Sequence, residues 1–265
     1  MKIRQTAAWL ALPLCLLSSA GKAEKNCPSE QELLQALTAE VKPAASLLFS
    51  APETDCRTAA RDRGPAVGKV QTVQGTVLII SADGCNASRL EKSLPLPVFT
   101  GDTIVTAEKS RVTLLMQDES RLTLAGQSRM IIDQSIYDPD TSRRDTKLRL
   151  VLGRLRAVVA KMTEKNLYHI QTPAATAGVR GTDFALAVVS PALTVLLTGG
   201  GSSAVELTDK KGGSSAVGPL SAACSVCPPA HVGRKALAVL HEIAPELDAA
   251  AAADETCWWM RWRCK

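Results

Sequence analysis

The chain has 265 residues, 46% of them hydrophobic but only 3% aromatic, which is ample for one sizeable core built from aliphatic side chains. Its formal net charge is +5, and removal of Lys2, Arg4 and Lys22 with an N-terminal leader lowers it to +2, so charge gives no support to a nucleic-acid partner.

Residues 1–23 run from a basic start through an apolar stretch, Ala7 to Leu17, into small residues, the layout of a secretory signal peptide cleaved after Ala20 or Ala23. The apolar core is shorter than the roughly 20 residues that a membrane-crossing helix needs, so a periplasmic or secreted product is expected. Residues 24–67 read as a helix and a linker. Ser29-Glu30-Gln31-Glu32 has capping-box spacing, and Leu33, Leu34, Leu37 and Val41 follow at helical intervals, which predicts a helix from Ser29 to Lys42. The Pro- and Gly-punctuated segment from Ala51 to Gly68 is the linker.

From residue 68 to 217 short runs alternate apolar and polar residues between glycine-bearing turns, the pattern of an all-β domain. Three runs open alike, at Ser110-Arg111, Ser120-Arg121 and Ser128-Arg129, each followed by alternating apolar residues. A twisted or stacked antiparallel sheet, or a solenoid-like β-roll, accommodates these offsets, as does an ordinary meander. Residues 218–265 form a third region: a rigid turn at Cys224-Ser225-Val226-Cys227-Pro228-Pro229, a helix from Ala230 to Leu247 with Val232, Leu237, Leu240 and Ile243 on its apolar side, an Ala-rich connector and the tail CWWMRWRCK.

Seven cysteines remain after the leader, and in an oxidising compartment they are disulfide candidates first. Proximity suggests Cys27 with Cys56, Cys224 with Cys227 and Cys257 with Cys264, leaving Cys85 single. Cys224 and Cys227 with His231 and His241 make a poor zinc set, because the histidine spacing is far from the usual three to five. A thioredoxin-like role wants its CxxC at a helix start, whereas two prolines follow this one. In the tail, Trp258, Trp259 and Trp262 with Arg261 and Arg263 suit a membrane surface or a stacking surface for sugar rings; the alternative is that the tryptophans fold back onto the β domain.

The stretch AGVRGTDFALAV, from Ala177 to Val188, combines glycines with Arg180, Thr182 and Asp183. A phosphate cradle is excluded, because Asp183 stands where a P-loop carries its Ser or Thr and would repel the anion. A structural turn fits: Gly178 and Gly181 permit positive φ, Thr182 and Asp183 bond nearby amides, and Arg180 is expected to be buried or half-buried against Asp102, Asp118 or Asp183.

Thr172-Pro173, Gly178-Val179-Arg180-Gly181-Thr182 and Phe184 resemble the signature of the FecR domain family. Gly75-Thr76-Val77, Gly101-Asp102-Thr103, Asp118 with Ser120, and Gly153-Arg154-Leu155 agree in order, so the resemblance extends over about residues 68 to 205. Glu119 departs from it, standing where the family usually has the Gly of an Asp-Gly-Ser turn. The resemblance implies an exported, non-catalytic β domain of the bacterial envelope, without cofactor or metal. The best-known type is a membrane-spanning regulator of iron uptake with a cytoplasmic anti-sigma segment. A leader at Met1 implies instead a stand-alone exported relative that binds an envelope glycan or protein, or that serves as a sensor in trans-envelope signalling. A CxxC redox protein is a third reading.

Overall fold

A computed structural model describes residues 27–39, 63–84, 87–90, 95–141, 143–161, 166–200 and 204–248. Seventeen strands follow a first helix, α1 (Glu30–Thr38). The first eight are β1 (Gly68–Gln74), β2 (Val77–Ile80), β3 (Ala87–Leu90), β4 (Leu96–Val98), β5 (Thr103–Thr106), β6 (Arg111–Met116), β7 (Arg121–Leu124) and β8 (Arg129–Asp138). The 16-residue β9 (Arg143–Val158) is the longest. After it come β10 (Leu167–Gln171), β11 (Ala175–Val179), β12 (Asp183–Ser190), β13 (Leu193–Thr198), β14 (Val205–Asp209), β15 (Ser214–Val217), β16 (Ser221–Cys224) and β17 (Cys227–His231). Helix α2 (Lys235–Ile243) and a further helical turn at 245–248 close the described chain.

The all-β expectation holds, and the strands stack in two layers joined through β9. The first layer runs β4-β1-β6-β7-β9-β12-β13-β16-β17. The second runs β3-β2-β5-β8-β9-β10-β11-β14-β15. All these pairings are antiparallel except β9 with β10. The N-terminal half of β9 lies in the second layer, and from Gly153 onward it lies in the first. Gly153 makes that corner with φ +87°, and a Cβ there would come within 2.5 Å of the Ser128 Cα. Only glycine allows both the turn and the approach. Ser128 then fastens the corner: its Oγ accepts from the Arg154 N–H at 2.9 Å.

Period-2 alternation explains the core. Val112, Leu114, Leu122, Leu124, Leu155, Phe184 and Leu186 of the first layer meet Ile79, Ile104, Met130, Ile132, Leu148, Leu150 and Ile170 of the second in one buried cluster. Each such side chain contributes roughly 1.5–3 kcal/mol on leaving water. The three Ser-Arg openings have a common physical role: Ser110, Ser120 and Ser128 are buried and hydrogen-bonded where their strands begin, anchoring turns. Their strands do not form three rungs of one sheet, since β6 and β7 are neighbours in the first layer and β8 belongs to the second.

Among the described residues, the helices cover the first layer. Leu33 and Leu37 of α1 and Ala236, Val239, Leu240 and Ile243 of α2 bury against Ala185, Ala187, Val195, Leu197 and Ala222. The capping box at Ser29 is present, with Glu32 N–H donating to Ser29 Oγ and Ser29 N–H to Glu32 Oε2, and the helix ends at Thr38 rather than Lys42.

The second helix is shorter than its periodicity suggests. Pro228 and Pro229 favour an extended edge, so residues 227–231 pair with β16, and the strands run past the expected boundary at 217. With Ala236, Val239, Leu240 and Ile243 claiming the buried face, Leu237 turns outward and is 45% exposed. Among the described residues no helix is long and apolar enough to cross a membrane. The leader, Val41, most of the linker and the tail with Trp258, Trp259, Arg261, Trp262 and Arg263 lie outside the described residues.

Candidate functional site

The signature residues bring β10, β11 and β12 together at the join between layers. Thr172 closes the β10–β11 hairpin: its Oγ1 accepts from the Ala175 N–H at 3.0 Å and lies 2.7 Å from Thr194 Oγ1. Pro173 forms part of that turn. Gly178 sits inside β11 without a positive φ, contrary to the turn expected there. Gly181 does turn, with φ +103°, and a Cβ on it would meet the Lys161 Cα at 2.5 Å. Thr182 accepts the Val159 N–H through its carbonyl, Val179 is buried, and Phe184 is fully buried between the layers. Gly101 leads into Asp102, which is fully buried; its Oδ2 accepts the Phe99 N–H at 3.0 Å and its Oδ1 pairs with Arg63. Burial pushes the Asp102 carboxyl up, against the lowering effect of the Phe99 N–H and Arg63.

Arg180 departs from this pattern and from the buried role expected of it. It is exposed and makes no hydrogen bond or ion pair with a described residue. Each carboxylate proposed for it is engaged elsewhere: Asp102 by Arg63, Asp118 by Ser120, and Asp183 by Arg156. The physical reason is alternation: Val179 points into the core, so Arg180 faces water on the second layer's outer surface. Asp183 begins β12 opposite Val158, within reach of Arg156 from the neighbouring strand.

That outer surface is open and in register. Lys147, His169, Gly178, Glu206 and Ala216 stand opposite one another on β9, β10, β11, β14 and β15. Leu167, two residues before His169, faces Asp145 and is 47% exposed. The His169 imidazole lies against Gly178, where a Cβ would sit 3.6 Å from its Cδ2. Leu167, His169, Gly178, Arg180, Glu206 and Ala216 line an open groove of about 480 Å³, and Lys147 stands opposite His169 on the strand that flanks it.

Two acids of this face, Glu206 and Asp145, each accept a hydrogen bond from a neutral side chain and keep their charge. Ser214 Oγ donates to Glu206 at 2.7 Å and Gln134 Nε2 to Asp145 at 2.8 Å. Arg149 is paired with Asp133 at 2.6 Å, whereas Lys147, like Arg180, has no partner among the described residues. A second groove of about 530 Å³ lies at the other end of the first layer, lined by Lys69, Pro97, Leu115 and Glu119 among others. Glu119 there has φ +66°, the left-handed conformation suited to the glycine it replaces.

The cysteine expectations change. Cys27 bonds to Cys227, replacing the proximity pairs Cys27–Cys56 and Cys224–Cys227, and Cys224 is a buried free thiol. The cause is tertiary: α1 docks across β12, β13 and β16, which brings the residue just before it to β17 despite a separation of 200 residues. Cys56, Cys85, Cys257 and Cys264 lie outside the described residues. Among the described residues no group of three or more His, Cys, Asp or Glu could hold a metal ion.

Arg154, which the resemblance marks without a role, and Arg156 hold the two helices. Arg154 donates to the Leu37 and Thr38 carbonyls at 3.1 and 2.6 Å, capping α1. Arg156 donates to the Leu240 and Ala244 carbonyls at 2.9 and 2.8 Å, capping α2. Burial opposes the charge of Arg156, and the hydrogen bonds that it donates to Asp183 and Asp248 outweigh that effect. The signal available was the pair of cations flanking Leu155 in a strand otherwise rich in aliphatic residues.

The family model described as FecR protein matches residues 102–201, so the marks at Gly75 and Gly101 fall outside the matched span. Two crystal structures of a candidate anti-sigma factor from Parabacteroides distasonis ATCC 8503 are similar at 15% identity and TM-score 0.37, covering 46% of this chain and 53% of theirs. The chain thus spans about half the length of those proteins. A structure described as a cell surface anchoring domain is similar at 29% identity and TM-score 0.23, over 25% of this chain and 83% of that one. No curated protein matches.

Proposed function

We propose, from the premise that residues 102–201 are a FecR region, that the chain is a non-catalytic binding module of the bacterial envelope that recognises an acidic partner on the outer face of its second layer. One observation carries this reading: among the polar signature residues, Arg180 is the one whose side chain is exposed at a groove and spent on no internal contact. Lys147 joins it as a second unpaired cation, while Glu206 and Asp145 each already accept a hydrogen bond. An acidic glycan or an acidic protein segment supplies the complementary charge. His169 and Leu167 add a flat apolar flank for a sugar ring or an aliphatic side chain. A sensor role in trans-envelope signalling uses the same face with a membrane protein as the partner.

The test is retention of envelope extract on the immobilised protein, followed by the same measurement with Arg180→Ala and Lys147→Ala. Both variants are expected to keep the wild-type melting temperature and to lose retention, and salt should weaken wild-type binding because the cations are exposed. Retention of peptidoglycan or polysaccharide identifies a glycan ligand, and capture of one membrane protein identifies signalling. Unchanged retention in both variants, or loss of folding in Arg180→Ala, would sink the proposal.

A further inference from the structure

Three cysteines meet on the outer face of the first layer, beneath α1. Cys224 and Cys227 face each other across the β16–β17 hairpin, with only Ser225 and Val226 between them. Directly opposed residues share a face of the sheet. Their Cα atoms are separated by about 4.5–5.5 Å in any antiparallel pair, within the span a disulfide bridges. Cys227 is already bonded to Cys27, whose Cα is 5.5 Å away. Cys227 therefore has two cysteine neighbours whose backbone separation suits a disulfide and can bond to one at a time.

We infer that Cys224, Cys227 and Cys27 form a thiol–disulfide exchange site that switches the covalent tether of α1. In the step, the Cys224 thiolate attacks the Cys227 sulfur; the Cys224–Cys227 bond forms, the Cys27–Cys227 bond breaks, and Cys27 leaves as a thiolate that takes a proton from water. One disulfide and one thiol are present before and after, so no oxidant or reductant is consumed. The surroundings suit the roles: Cys224 and Cys227 are 3% and 8% exposed, while Cys27 is exposed, so the leaving sulfur departs into water. Burial pushes the Cys224 thiol up, and the backbone N–H groups of Val226 and Cys227, directed at its sulfur, offset part of that rise.

The exchange removes the covalent link between α1 and β17. Afterwards α1 is held by Leu33 and Leu37 in the apolar cluster, by Arg154 at its C-terminus and by the exposed Glu30–Lys235 pair. The product presents a thiol at Cys27, at the surface and three residues before α1. It also encloses Ser225 and Val226 within a short disulfide loop, the arrangement that sequence proximity alone suggests.

The experiment is disulfide mapping by mass spectrometry of the full chain, trapped with N-ethylmaleimide under native conditions after increasing times without reductant. In wild type the Cys224–Cys227 peptide should grow as the Cys27–Cys227 peptide declines, with maleimide appearing on Cys27. In Cys224→Ser the Cys27–Cys227 bond should persist and Cys27 stay unlabelled. Equal labelling of Cys27 in both would mean that another thiol attacks, overturning the assignment, and so would a wild-type map unchanged over the whole time course. A second variant guards against misfolding of the first: Cys27→Ser, mildly oxidised, should yield the Cys224–Cys227 bond, and its failure to do so refutes the geometry.

Discussion

Replacing Arg156 by Met keeps an aliphatic stem of similar length and deletes the guanidinium, which isolates what that group holds. The side chain is 4% exposed and uses each of its five N–H donors once. Nε and Nη2 meet Asp183 at 3.0 and 2.7 Å, Nη2 also meets Asp248 at 2.5 Å, and Nη1 serves the Leu240 and Ala244 carbonyls. The variant leaves the Leu240 and Ala244 carbonyls with only their backbone donors, the Ala244 and Leu247 N–H groups, and Asp183, 24% exposed, without its counter-charge. Breaking a buried ion pair from one side costs about 3–5 kcal/mol, a large share of the 5–15 kcal/mol typical of a whole domain. Asp248 is 41% exposed, so its loss as Asp248→Asn should cost less than about 1 kcal/mol. Equilibrium urea unfolding followed by circular dichroism measures both. The combined Arg156→Met, Asp183→Asn variant should recover part of the loss, because it removes the stranded carboxylate. Equal costs for Arg156→Met and Asp248→Asn, or no recovery in the double variant, would refute this account of the cluster.

Three further outcomes are expected. Gly181→Ala should destabilise by about 2–4 kcal/mol, because its Cβ meets the Lys161 Cα at 2.5 Å; a melting temperature near wild type would contradict it. Glu119→Gly should stabilise by about 1 kcal/mol by relieving the left-handed backbone at φ +66°, read as a raised urea midpoint with unchanged slope. Burial alone would raise the Asp248 carboxyl, but hydrogen bonds from Arg156 and His241 hold it below the usual carboxylate range. Its contribution is therefore fully present above that range and lost as pH falls through the lowered value, so the stability gap between wild type and Asp248→Asn should close on acidification. A gap that widens in acid would be the wrong sign.

Local signals carried much of the fold into the sequence. The capping box at Ser29, the alternating runs and the turn at Gly181 depend on neighbours within a few residues, and the structure keeps them, although Gly178 stays within β11. What depends on distant partners was not legible there. That β9 serves both layers follows from the bend at Gly153, and the helix expected from Ala230 begins late because β16 recruits residues 227–231 as a strand. The cysteines failed for the same reason: proximity joins Cys224 to Cys227, but docking of α1 delivers Cys27 across 200 residues. Arg180 is the most instructive case. Its motif marks a structural turn, yet the turn rests on Gly181, Thr182 and Phe184, and strand alternation turns Arg180 outward.

The asymmetry between the two layers follows from β9. On crossing at Gly153 it presents Arg154 and Arg156 on the same outer face, two residues apart, and each collects the carbonyls at the end of one helix. Helix C-termini carry partial negative charge, so a buried cation is well placed there. Both helices have only nine residues, too few for stability on their own, and depend on such docking. In the second layer β9 carries Arg143, Arg144, Lys147 and Arg149; Arg144 donates to the Ala160 carbonyl and stacks over Tyr137, Arg149 pairs with Asp133, and Lys147, beside His169, has no partner among the described residues. The same strand therefore spends its charges on structure in one layer and leaves charge available in the other. Substitutions at Arg154 and Arg156 should move stability without touching recognition, and those at Lys147 and Arg180 should do the reverse. A variant set in which both effects fell on the same residues would show that the two faces are not divided in this way.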